Sequence, residues 1–366
     1  MKLILSLVIF SLSWNAFSAQ GSVTEDVLEI SPRQKVYYRY TPAQKGQPTF
    51  VALNGLIYPI KYWDSFLEEM QEKGFGLLQI AYSTQPESLS ELTQRPRFFF
   101  ENIETKDLSD EVMAVVDQVG LKKFELLTLS YGSIVGADLA DRYADRLNSV
   151  TMMSPAVRPS NRYHLYGESR HQYYEWLSQV STEADRYYDA ELFVSMLPIV
   201  KSQEASFELM GVDFDTFFKG VYQMARSAKW FDLKERVSNK RWPKTNFVFA
   251  SEEEVGLSQD QEASWEILKS TSPHSIKITV NGAPHAIPGV HPKTAVRVLE
   301  GLMENQYQPG EHEVELSLGQ EKPDSGSGSS ESSATDSIKT DSIKETSLLS
   351  SDRSSSCSQL LGSKKD

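Results

Sequence analysis

Short apolar runs and amphipathic stretches take turns along the chain. Near the start, "VLEIS" (27–31) and "KVYYRY" (35–40) are strand-like runs separated by "PRQ", which predicts an antiparallel hairpin. Apolar runs then recur at 49–53, 76–81, 124–129, 150–153, 246–250 and 276–280. Between them, the segments 62–73, 107–119, 134–147, 259–268 and 292–303 carry their apolar residues at helical spacing. Strands alternating with helices at these lengths predict an α/β fold, a mainly parallel sheet covered on both faces.

The alternation breaks between Pro155 and Pro243, in a long stretch that is helix-prone and rich in aromatics, such as "YHLYGESRHQYYEWL" and "FDTFFKGVYQMARSAKWF". It falls where a sheet-based enzyme can carry a cap, expected at about 156–242. Most of its aromatics are expected to form its own core and a minority to line a ligand site. From 309 the composition turns to Ser, Asp, Glu, Gly and Lys, with "TDSIK" repeated at Thr335 and Thr340. Too few apolar residues remain there to offset ordering entropy, so 309–366 is expected to be a disordered tail after a domain spanning 22–308.

The first twenty residues have Lys2, an apolar run over 3–12, and small residues at Ala16 and Ser18. That is the layout of a secretory signal, 1–18, cleaved after Ser18 or Ala19, and it predicts export to the periplasm or the medium. The run is shorter than the roughly 20 residues of a membrane span, which disfavours an uncleaved anchor. The 366-residue chain, 40% hydrophobic, can bury the core of one large domain. Its net charge of −13, with no compensating basic cluster, disfavours nucleic acid as a partner. The single cysteine, Cys357, permits no intrachain disulfide.

Candidate chemistry begins at "TLSYGS" (128–133), where an apolar run delivers Ser130 into an abrupt turn before a helical run. Such an elbow holds a serine clear of the sheet and packs strand and helix so closely that the residues two positions either side must be small. Gly132 satisfies this and Thr128 does not. A serine nucleophile needs a base. Of six histidines, His285 in "VNGAPHAIPGVHP" follows the run 276–280 in a short loop, while His164 and His171 lie in the insert, His274 precedes a strand, His291 begins the last helix and His312 is in the tail. The imidazole needs a carboxylate in turn, and "NFVFASEEEVGL" ends a strand with Glu252, Glu253 and Glu254. The chain order is serine, acid, histidine. For a developing oxyanion, the backbone N–H groups of Tyr131 and of Leu56, the latter in "LNGLIYP" after the run 49–53 with Gly55 allowing the turn, are the candidate donors.

Together "LNGLIYPIKYWDSF", "LLTLSYGS", "FVFASEEEV" and "NGAPHAIPGVHP" resemble the oxyanion loop, nucleophile elbow, acid strand and histidine loop of the α/β-hydrolase superfamily, over roughly 47 to 304. The resemblance implies an α/β-hydrolase fold with a helical cap insertion. It also implies catalytic Ser130, Glu253 and His285, an oxyanion hole of Tyr131 and Leu56, and no metal or organic cofactor. Glu253 takes the family's aspartate position, and it points away from Glu252 and Glu254 if the strand persists through them. "AYSTQPESL" stands where the superfamily has Asp-x-Arg-Gly-x-Gly, and Ser130 stands where the epoxide hydrolase and dehalogenase branches have an aspartate nucleophile. The acid strand and the large insert are more similar to lysophospholipase and monoacylglycerol-lipase relatives. The implied activity is hydrolysis of carboxylic esters, on a small-molecule ester or lipid, with peripheral membrane contact and oligomeric state left open. Two alternatives stay open. One is a proline-aminopeptidase-type peptidase, using Glu168, Glu175, Glu183 or Glu191 to hold a free amine. The other is a binding protein on a hydrolase fold that has lost its chemistry.

Overall fold

The computed structural model describes residues 22–157, 168–203, 207–238, 242–253 and 255–316. The expected signal sequence, His164, Glu254 and the chain from 317 onward lie outside the described residues.

Among the described residues nine strands form one sheet: β1 (Thr24–Ser31), β2 (Gln34–Thr41), β3 (Thr49–Leu53), β4 (Gly76–Ala81), β5 (Phe124–Leu129), β6 (Leu147–Met153), β7 (Thr245–Ala250), β8 (Ile276–Asn281) and β9 (Gly310–Glu315). Their order across the sheet is β1-β2-β4-β3-β5-β6-β7-β8-β9. β1 and β2 form the expected antiparallel hairpin, and β2 pairs antiparallel with β4. All other neighbours run parallel. Parallel neighbours need crossovers, and the helical stretches supply them: α1 (Asp64–Glu72), α2 (Pro86–Ser90), α3 (Thr105–Val119), α4 (Gly132–Arg142), α5 (Glu168–Val180), α6 (Ala184–Lys201), α7 (Phe214–Ser227), α8 (Leu233–Val237), α9 (Val255–Thr271), α10 (Ile287–Val290) and α11 (Pro292–Met303).

Alternation along each strand sends side chains to two separate cores. Val51, Leu53, Leu126, Val150 and Phe247 pack on one face with Val112 and Val116 of α3, Val135 and Leu139 of α4 and Trp265 of α9. Phe50, Ala52, Leu127, Val248 and Ile278 pack on the other with Phe66 and Met70 of α1 and Val298 and Leu299 of α11. Helix ends are marked locally. Glu104 and Asp107 form a reciprocal capping box on α3, and Gly120 closes that helix at φ 82°.

α5 to α8 occupy the stretch between β6 and β7 where alternation breaks in the sequence. Tyr174, Tyr188, Phe207, Phe217 and Phe218 are buried there, largely against one another, while Tyr173, Trp176, Tyr187 and Phe193 remain exposed. The stretch is tied to α4: Arg236 of α8 donates to Asp138 at 2.8 Å, and Ser227 of α7 shares a 2.6 Å hydrogen bond with the Tyr131 hydroxyl. No helix among the described residues is long and apolar enough to cross a membrane.

The expected start of the tail needs correction. Residues 310–315 form β9, parallel to β8, so ordered structure runs past 309 and His312 lies in a strand. β9 is an edge strand whose glutamates face outward in alternation, a pattern that reads as solvated polarity when its partner strand is not in view. Glu311 anchors it, accepting hydrogen bonds from Trp265 and Lys269, each at 3.1 Å, and pairing with Lys277 at 3.1 Å.

Candidate active site

The turn from β5 to α4 has the strain expected of an elbow. Ser130 sits at φ 53°, in the left-handed region that a residue with a Cβ adopts at a cost. Its backbone is held from three sides. Its N–H donates to the Met153 carbonyl at 3.1 Å, and its carbonyl accepts from Ser133 at 2.9 Å and Ala156 at 3.2 Å. Gly132 is required by space, since a Cβ there would lie 2.5 Å from the Leu53 carbonyl oxygen and 2.7 Å from that of Asn54. α4 therefore starts directly against the end of β3, which brings the Tyr131 turn beside the loop after β3.

Thr128, the residue that breaks the small-residue rule, is fully buried, and its Oγ1 shares a 2.8 Å hydrogen bond with Ser133 Oγ. Its methyl is accommodated by Gly136, one turn into α4, where a Cβ would come within 2.6 Å of Thr128 Cγ2. The close approach of strand and helix is thus kept by a glycine eight residues downstream.

The loop after β3 lies against the serine. Gly55 is needed there for room, because a Cβ would meet Tyr58 Cδ2 at 2.7 Å and Ser130 Cβ at 3.3 Å, and its φ is not in the left-handed region. Among the described residues no acceptor engages the backbone N–H of Leu56 or of Tyr131. Asn54 is fully buried, and neither carboxamide atom has a hydrogen-bond partner among the described residues. Tyr58 stacks on Tyr62 with ring centroids 4.8 Å apart. Burial, then Tyr62 and Glu253 close by, push the Tyr58 phenol up to about 12.

Glu253 and His285 meet directly, with His285 Nδ1 2.7 Å from Glu253 Oε2. The Glu253 side chain is 2% exposed, against 25% for His285. Gln261, buried on α9, donates to the same Oε2 at 3.3 Å. β7 ends at Ala250, so strand alternation does not aim the acid as the sequence suggested. The aim comes from the loop: Ser251 N–H donates to the Val280 carbonyl, Glu252 N–H to the Ala283 carbonyl, and Gly282 N–H to Ser251 Oγ at 2.7 Å. These bonds zip the acid loop to the histidine loop and leave the Glu252 side chain exposed. His291 caps α11, and His274 is exposed.

Ser130, Glu253 and His285 thus follow the C-terminal ends of β5, β7 and β8, the edge where open parallel sheets place their ligands. Gly136 and Gln261 escape a reading of the sequence, since each acts through contacts that only the fold creates.

Comparison with solved structures shows the fold. The chain is similar to haloalkane dehalogenase DbeA from Bradyrhizobium elkani USDA94, with 13% identity, a TM-score of 0.55, and 78% of this chain and 98% of that one covered. A serine hydrolase from Cycloclasticus zankles matches with 14% identity, a TM-score of 0.54, and 78% and 99% covered. A carboxylesterase structure from the thaumarchaeon Nitrososphaera gargenis matches with 15% identity, a TM-score of 0.52, and 76% and 98% covered. This chain has the α/β-hydrolase fold. No protein-family model and no curated protein sequence matches it.

Proposed function

We propose that the protein is an exported serine hydrolase that cleaves carboxylic esters through an acyl-enzyme on Ser130. The observation that carries this reading is the 2.7 Å pair between His285 Nδ1 and a Glu253 carboxylate almost closed to solvent, on the sheet edge that holds Ser130 in a strained turn. With Nδ1 occupied, Nε2 is the nitrogen left to take the serine proton and return it to the leaving alcohol. Glu253 fixes that tautomer and stabilises the imidazolium. The unengaged N–H groups of Leu56 and Tyr131 are the donors for the tetrahedral oxyanion. A serine in place of an aspartate nucleophile favours ester hydrolysis over dehalogenation. Export rests on the pattern of residues 1–18.

The insert supports a substrate class. Its exposed aromatics, Tyr173, Trp176 and Tyr187, favour an apolar acyl chain and allow peripheral contact with a membrane. Of the acids that the peptidase alternative could use, Glu191 already accepts from Tyr174 and Arg170, and Glu183 pairs with Arg186, which disfavours these two as holders of a free amine. Purified protein should hydrolyse nitrophenyl acyl esters and leave aminoacyl-arylamides intact, and Ser130→Ala should abolish turnover. Cleavage of the arylamides alone would contradict the proposal.

A further inference from the structure

The loop after β3 is held in place by a residue from the next crossover. Gln85 is 1% exposed and precedes α2, in the stretch that departs from the superfamily pattern. Its Nε2 donates to the Gly55 carbonyl at 3.1 Å and to the Tyr58 carbonyl at 3.4 Å. Its Oε1 accepts from the Tyr82 N–H at 3.1 Å. One N–H donor on one side and two carbonyls on the other leave a single sensible orientation of the carboxamide. The side chain also starts from a fixed backbone. Gln85 N–H closes a turn on the Tyr82 carbonyl at 2.8 Å, and its own carbonyl accepts from Leu89 at 2.9 Å. Glu87 of α2 adds a second tie to the same loop, accepting from Ile60 N–H at 2.6 Å.

The carbonyl of Gly55 and the N–H of Leu56 belong to one peptide unit. That unit is planar and trans, so its C=O and N–H point in opposite directions, and whatever holds the oxygen also aims the hydrogen. Gly55 lies 3.3 Å from Ser130 Cβ, measured from where its own Cβ would be, so the aimed peptide borders the nucleophile. We propose that Gln85 is a positioning residue for the oxyanion hole, directing the Leu56 N–H by pinning the Gly55 carbonyl. The inference rests on the reading of Ser130 as nucleophile and Leu56 N–H as oxyanion donor. It adds that a buried amide from the β4 crossover preorganises that donor, which costs no reorganisation as charge develops.

The experiment uses the full mature protein and three readouts: steady-state kinetics on a nitrophenyl ester, the inhibition constant of a trifluoromethyl ketone that adds to the serine as a tetrahedral oxyanion, and melting temperature. Gln85→Leu should lower kcat roughly 10- to 100-fold, part of the loss seen when a whole oxyanion donor is removed, with KM nearly unchanged. Binding of the ketone should weaken in parallel. Gln85→Glu guards against misfolding of the leucine variant. Buried against two carbonyls, its carboxyl should be raised above the ordinary carboxylate range. Its neutral form can still donate to Gly55, and its ionised form repels that oxygen. Its kcat should therefore approach wild type at low pH and fall as pH rises, giving an alkaline limb that the wild type lacks. Wild-type protein with no esterase activity would overturn the underlying reading together with this one. An active wild type whose Gln85→Leu variant keeps kcat and ketone affinity, or loses only melting temperature, would overturn the role of Gln85 alone.

Discussion

The γ-methyl of Thr128 fills the space that a side chain at Gly136 would need, with only 2.6 Å between it and a Cβ placed there. Thr128 cannot easily yield, being fully buried with its hydroxyl bonded to Ser133. Gly136→Ala should therefore cost about 1–3 kcal/mol by overpacking, offset in part by the ~1 kcal/mol that alanine gains over glycine within a helix. In a Thr128→Ala background the same change should become neutral or stabilising, since the obstructing methyl is gone. A double-mutant cycle by urea denaturation measures this. Additive effects would show that the two residues do not share the space.

Glu253 and Glu252 are neighbours in sequence with opposite surroundings. The Glu253 carboxylate is 2.7 Å from His285 Nδ1, while the Glu252 side chain is exposed. Glu253→Gln should lower kcat by several orders of magnitude, on the order of 10⁴-fold, because it disturbs the imidazole tautomer and removes the charge that stabilises the imidazolium. Glu252→Gln should change kcat less than about twofold, as solvated surface charges do. A crippling effect of Glu252→Gln in ester kinetics would place the acid one residue away.

Acid sensitivity should trace partly to Glu311. Hydrogen bonding from Trp265, followed by Lys269 and Lys277, lowers its carboxyl from 4.5 to about 2. A carboxyl depressed in the folded state stabilises the fold above its unfolded value, and that contribution is lost as pH falls from about 4.5 towards 2. Between those limits the melting temperature of Glu311→Gln should fall less steeply than that of wild type, and at neutral pH the variant should melt lower. Parallel curves for the two proteins would assign the pairing no weight in stability.

Much of the sheet was legible in the sequence because its central strands are buried on both faces and stand out as continuous apolar runs. β9 was not, since an edge strand with outward glutamates resembles a solvated tail until Trp265, Lys269 and Lys277 are placed beside Glu311. The contact between Glu253 and His285 was expected from the resemblance to the superfamily and from strand alternation, whereas its physical basis is a pair of loops bonded to each other beyond the ends of β7 and β8. Thr128 read as a departure because its compensating partner, Gly136, lies beyond the motif. Gln85 was invisible for a similar reason. A glutamine in a polar loop has no local signature, and only the fold reveals the two carbonyls it holds.

The central claim is that Ser130 is the nucleophile, and the most direct measurement is reaction of the folded protein with a fluorophosphonate, followed by mass mapping of the adduct. A phosphonyl group should be found on Ser130 in wild type and be absent from Ser130→Ala, with its rate of formation sharply reduced in His285→Ala. Failure of wild type to react, or ester turnover retained by Ser130→Ala with the adduct on another residue, would contradict it.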